Sequence, residues 1–184
     1  MSWSGDVFRK YLVHGWRGEA YLIADEVQSA EDDLVKCLAL GDEIGTSFHR
    51  AAFQAFLAQI RLLQGDVNSA CALSAEAISR ACEGAQAWGQ SIALRVNAAA
   101  LLAADPPDVE KAEQAVQSAI VIQERRECRC DLAWTYLTLA RVFAAQGDLG
   151  GATEAVATAK EMFETMGVSP GLEAVKATSV APEG

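Results

Sequence analysis

The run Tyr136-Leu-Thr-Leu-Ala-Arg-Val-Phe-Ala-Ala-Gln-Gly-Asp-Leu-Gly-Gly-Ala152 decides the fold. It continues through Val156, Ala159, Phe163 and Met166. Apolar residues recur every three or four positions on both sides of Gly147-Asp148, which is the period of two α-helices joined at a corner. Glycine supplies a helix end and aspartate caps the next helix, so Gly-Asp is a stop followed by a start.

Working upstream, the same face recurs. Val27, Ala30, Leu34 and Cys37 are spaced by three, four and three residues. So are Val67, Ala70, Ser74 and Ala77, and Val109, Ala112, Val116 and Ala119. Leu149, Ala152, Val156 and Ala159 complete the set. The alanines Ala30, Ala70, Ala112 and Ala152 lie 40, 42 and 40 residues apart, the extra two coming from the longer corner Asp105-Pro106-Pro107-Asp108. Small side chains at these positions let paired helices approach, with larger residues of the partner helix filling the space.

The spacing predicts four helical hairpins, over about residues 6–45, 47–84, 86–127 and 129–167. Asp6, Asp25, Asp66 and Asp108 are the predicted caps, and the third helix is placed from Ser47 to Gln64. Gly45, Gly84 and Gly167 are helix stops, and Pro106 ends a helix because proline cannot continue one. Ser169-Pro170 opens a short ninth helix to about residue 176, leaving 177–184 as a flexible tail. One hairpin cannot bury both of its faces. Four in a row can share a core, so residues 1–176 are read as one all-α solenoid domain with a C-terminal capping helix.

Composition limits the functions. Of 184 residues, 51% are apolar and 22% charged, ordinary for a globular protein. A net charge of -10 disfavours nucleic acid and anionic membrane as partners, since both select a basic face. The longest apolar run, Ala98 to Ala104, is far short of the ~20 residues of a spanning helix. The opening Met1-Ser2-Trp3-Ser4-Gly5-Asp6 has no signal-peptide pattern. Five scattered cysteines, an odd count, point to a reducing cytoplasm rather than a disulfide framework.

Leu57-Ala58, Gly65-Asp66, Ala70 and Ala77 now read as a motif, as do Leu139-Ala140, Phe143, Gly147-Asp148, Ala152 and Ala159. On these residues the chain resembles the tetratricopeptide repeat family. The first hairpin carries Gly18, Tyr21, Ala30 and Cys37, with Asp25 where the corner glycine belongs; the third carries Ala98, Leu101, Ala112 and Ala119. The period exceeds the family's usual length of about 34 residues. Long-period arrays of this kind look like the C-terminal helical arrays of bacterial signalling ATPases, nucleotide cyclases and transcriptional activators.

The resemblance implies a right-handed solenoid whose first helices line a concave groove. The groove positions carry over to Trp16 and Glu19, Phe56 and Gln59, Arg95 and Ala99, and Thr138 and Arg141. Aromatic anchors and two arginines suit a peptide with apolar side chains and a carboxylate. The groove lacks the family's Lys/Asn-rich carboxylate clamp. The alternatives are core packing for Trp16 and Phe56, and solvated ion pairs for Arg95 and Arg141.

No nucleotide-binding loop, dinucleotide fingerprint or nucleophile elbow occurs in the chain. Cys128-Arg129-Cys130 has no second ligand pair for zinc. His14 and His49 read as partly exposed helix residues, Cys37, Cys71 and Cys82 as small packing residues, and Glu31-Asp32-Asp33 as a solvated face. The expected function is a non-catalytic module that binds a protein or peptide, without cofactor or metal, self-association being possible. A detached regulatory array of a larger signalling protein is the alternative, and an enzyme with an unfamiliar helical site comes last.

Overall fold

The computed structural model describes residues 4–178. Within them lie nine α-helices and no strand. They are α1 (Ser4–Ile23), α2 (Val27–Ile44), α3 (Arg50–Leu63), α4 (Val67–Glu83), α5 (Ala87–Ala103), α6 (Val109–Arg125), α7 (Arg129–Gln146), α8 (Leu149–Met166) and α9 (Ser169–Thr178). No helix among the described residues is long and apolar enough to cross a membrane. The chain forms two compact units, residues 1–96 and 97–184, and the division falls within α5.

In the first unit α1 pairs with α2 and α3 with α4, while α3 also packs on α1 and α2. In the second, α7 packs on α6 and α8, and α9 lies on α8 and α7. Within each unit, then, helices touch sequence neighbours and next neighbours. The repeated alanines explain the closeness. Ala30, Ala70, Ala112 and Ala152 are all fully buried, as are Cys37, Ala77, Ala119 and Ala159.

One corner geometry recurs seven times among the described residues. At Asp25, Gly45, Gly65, Ala85, Glu127, Gly147 and Gly167 the backbone has positive φ, between 50° and 81°. The next residue's N–H then bonds back to a carbonyl five positions earlier, as from Asp66 to Arg61 (2.9 Å) and from Gln86 to Ala81 (2.9 Å). This left-handed turn satisfies carbonyls that the helix end would otherwise leave open. Glycine adopts it freely and aspartate tolerates it at position 25, whereas Ala85 and Glu127 adopt it against their Cβ.

Several expectations need correction. Asp25 occupies that left-handed position and does not cap α2; the N-cap is Glu26, with no side-chain cap bond. Asp66, Asp108 and Asp148 do cap, accepting from the N–H groups of Ser69 (3.1 Å), Lys111 (3.2 Å) and Gly151 (2.9 Å). α1 begins ahead of Asp6, which pairs with Lys10 at 2.9 Å within the first turns. α3 starts at Arg50, because Phe48 and His49 form a turn pinned from two sides. The Tyr11 hydroxyl donates to the Phe48 carbonyl, and Gln86 Nε2 donates to the Ser47 carbonyl at 2.7 Å. α9 runs to Thr178, two residues past its predicted end. The rest of the expected tail, 179–184, and residues 1–3 lie outside the described residues.

Candidate functional site: an aromatic face and an unpaired arginine

Of the acidic run of α2 only Asp32 is exposed, so the expected solvated face holds for that residue alone. Asp33 is 3% exposed and accepts from His14 Nδ1 (2.9 Å), Arg17 Nη2 (2.6 Å) and Arg17 Nε. Helical spacing puts His14 and Arg17 on one face of α1, opposite Asp33. The two side chains cover the carboxylate close to the surface. Arg17 foremost, with His14, holds its pKa down to about 2 against the opposing effect of burial. Glu31 pairs with Arg61 at 2.5 Å and accepts from Gln64 Nε2 at 2.6 Å, tying α2 to the end of α3. A histidine, a carboxylate and an arginine so saturated with one another join helices and offer no nucleophile. Among the described residues no group of three or more His, Cys, Asp or Glu is placed to hold a metal ion.

The first unit has an aromatic face. Trp16 is 40% exposed, with Val13, one turn earlier, on the same stripe of α1. Its ring is braced by three others: His49 at 5.3 Å, Phe53 at 5.4 Å and Trp88 at 5.5 Å between centroids. His49 also meets Trp88 edge-on at 5.1 Å. Phe48, 51% exposed, lies tilted against His49 with centroids 4.0 Å apart. Gly15 makes this possible, since a Cβ there would lie 2.3 Å from Phe53 Cζ. Partial burial lowers the His49 pKa, so the imidazole stays neutral near pH 7. The left-handed backbone of His49 and the pinned turn fix the cluster's geometry.

The other predicted site residues of this unit are divided. Glu19, one turn beyond Trp16, and Gln59 on α3 are half-buried, as is Arg95 on α5. Phe56 is 4% exposed and packs in the core with Tyr11, Phe53 and Ile60. Its ring has no face to offer a partner, so the anchor in this unit is Trp16.

In the second unit, Thr138 is buried, and its hydroxyl donates to the Trp134 carbonyl at 3.4 Å. Arg141, one turn on, is exposed and makes no ion pair or hydrogen bond through its side chain among the described residues. The surrounding protein nonetheless displaces enough water to lower its pKa. A cation so placed has lost part of its hydration without gaining a counter-charge, which favours an incoming anion.

None of the five cysteines is in a disulfide; Cys37 is buried, and burial pushes its thiol up to about 12. Cys128 Sγ reaches only the Arg126 carbonyl, at 3.7 Å. His49 is the N-cap of α3 and not a residue within the helix, unlike His14 in α1. Val13, Phe48 and Trp88 are the face residues that repeat arithmetic passes over. The three-residue step from Val13 to Trp16, and two adjacent rings ahead of a helix, were the available signals.

No family model matches the chain, and no curated protein matches it. Among solved structures, that of BtubC (BKLC) from P. vanneervenii is similar, with a TM-score of 0.61 and 18% identity. The match covers 86% of this chain and 65% of that one, so the chain spans about two thirds of that protein's length. At this identity the likeness is one of fold alone.

Proposed function

We propose that the chain is a cytoplasmic, non-catalytic interaction module of tetratricopeptide-like hairpins, stacked as a right-handed solenoid, that binds a peptide or helix of a protein partner. The observation that carries this reading is the braced, exposed ring of Trp16. A large aromatic left at the surface while its neighbours fix its orientation is the kind of anchor that dominates binding energy, because little entropy remains to be lost. Arg141, exposed and unpaired, supports an acidic or carboxylate-bearing ligand. Phe48 and Val13 extend the apolar contact on the first unit. The free cysteines accord with a reducing compartment.

Selection of ligands from a random peptide display tests the reading. Selected peptides should include some with apolar anchors, for the face around Trp16, and some with an acidic group, for Arg141. Trp16→Ala should weaken the former at least tenfold, about 1.4 kcal/mol. Arg141→Glu should weaken the acidic ones while leaving the melting temperature nearly unchanged. If no peptide is enriched over the Trp16→Ala background, the reading fails. A large loss of stability in Arg141→Glu would assign that residue to structure.

A further inference from the structure

A second site lies wholly within residues 97–184, at the corner between α6 and α7. Gln123, near the end of α6, is fully buried, and neither the oxygen nor the nitrogen of its carboxamide has a hydrogen-bond partner. Its backbone carbonyl is taken by the Cys128 N–H (2.9 Å), which closes the corner, but its side chain is left over. Buried amides are rarely left so, and each exception calls for a cause. Gln123 lines a cavity of ≈ 530 Å³ together with Glu124, Glu127, Arg129 and Leu132. That volume lies in the range of small-molecule sites. Glu124, Glu127 and Arg129 are exposed, and none of them is in an ion pair among the described residues. Arg129 and Leu132, three apart at the start of α7, share one helix face.

The chemistry is that of opposite charges flanking a neutral donor–acceptor. A ligand must offer an acceptor to Arg129 and the Gln123 N–H groups. It must offer a donor to the Gln123 oxygen and to Glu124 or Glu127. A zwitterionic α-amino acid carries both on neighbouring atoms. Leu132 is the apolar wall for its side chain, which selects aliphatic members. We propose that the α6–α7 corner binds a free aliphatic α-amino acid. A peptide terminus shares half of this chemistry: an N-terminus engages only the glutamates, a C-terminus only Arg129.

Calorimetry on the full chain tests the proposal, with alanine, valine, leucine, isoleucine and methionine titrated singly. The N-acetyl and carboxamide derivatives of each are titrated in parallel. At least one free amino acid should bind, and blocking either end should weaken it about tenfold or more. Arg129→Ala should weaken the free amino acid similarly, yet leave the carboxamide derivative unchanged. Gln123→Met should abolish binding without lowering the melting temperature, because it removes an amide that no protein group satisfies. A blocked derivative that binds as tightly as its parent would point to a peptide terminus and overturn the proposal. So would the absence of binding by all five, or a Gln123→Met chain of lower melting temperature, which would assign the amide to an ordered water.

Discussion

The two units build the same hairpin from different interiors. Around Tyr11, Phe53 and Phe56 the first unit is filled by rings, and Phe8 and Trp88 pack against them. The interior of the second holds Ala133, Leu137, Ala159 and Val175 about a single buried ring, Phe163, with Trp134 edge-on to it at 5.1 Å. Each ring needs a notch. Phe53 lies over Gly15, and Phe163 lies over Gly171, where a Cβ would come within 2.3 Å of its Cδ1. The first unit therefore has aromatic area beyond what its core can cover, and Trp16 and Phe48 are where it reaches the surface. The second unit has no such surplus.

The difference is broken most severely at the rings. Phe53→Ala should cost about 3–5 kcal/mol, the range for buried phenylalanine. It should also unseat Trp16, giving a red-shifted tryptophan emission. Phe163→Ala should cost less, about 3 kcal/mol, since fewer neighbours surround the cavity, and its main effect should be release of α9. Urea unfolding followed by circular dichroism and by fluorescence separates the two. Equal costs with no change at Trp16 would erase the distinction drawn here.

Filling a notch is the next largest effect. Gly15→Ala places a methyl group inside the Phe53 ring and should cost about 1–3 kcal/mol, the range for overpacking. Gly171→Ala should cost a similar amount but loosen only α9, visible as earlier proteolysis near the C-terminus. Global loss of stability from Gly171→Ala would mean that α9 is more than a cover for the last hairpin.

The two interiors also differ in ionic cross-links, because the buried carboxylate belongs to the first unit. Asp33 has a folded-state pKa of about 2, below its ordinary 3.8. A depressed carboxylate pKa stabilises the fold fully above the unfolded value, and the contribution vanishes as pH falls through about 2. The expected loss is about 2 kcal/mol, somewhat less after solvent screening of the half-exposed Arg17. An acid titration of stability should flatten between pH 4 and 2 in Asp33→Asn. An identical profile in both chains would show that the carboxylate is not held by Arg17 and His14.

The smallest effects lie at the corners, which are alike in both units. Ala85→Gly should add about 0.5 kcal/mol, the relief of the left-handed backbone exceeding the added entropy of the unfolded chain. Asp25→Gly should be close to neutral, since aspartate tolerates that conformation. Gly65→Ala should cost about 1 kcal/mol.

These corners also show what the sequence discloses. Gly65, Gly147 and Gly167 announce their turns, and each lies where the spacing puts it. Ala85 and Glu127 hold the same backbone without announcing it, since neither side chain favours it, while Asp25 stands where the corner glycine belongs. The alanine period was legible because a helix pair tolerates only small residues at its closest approach. Asp33 was not. A carboxylate in a run of three reads as solvated until a histidine and an arginine nineteen and sixteen residues earlier are seen across from it. Trp16 stood out as an aromatic at a first-helix position, but its exposure depends on Gly15, His49 and Trp88 together. Gln123 left no mark at all, since an unpaired amide is a property of packing.

The central claim is that, within each unit, every helix is held by its sequence neighbours rather than by one shared centre. Amide hydrogen exchange read helix by helix tests it most directly. In the first unit, protection should be highest in α3, whose residues 51–58 are all buried between α1, α2 and α4, and should fall toward α1. In the second, it should fall steadily from α7 through α8 to α9. Uniform protection across all helices of a unit, lost in one concerted opening, would contradict the account.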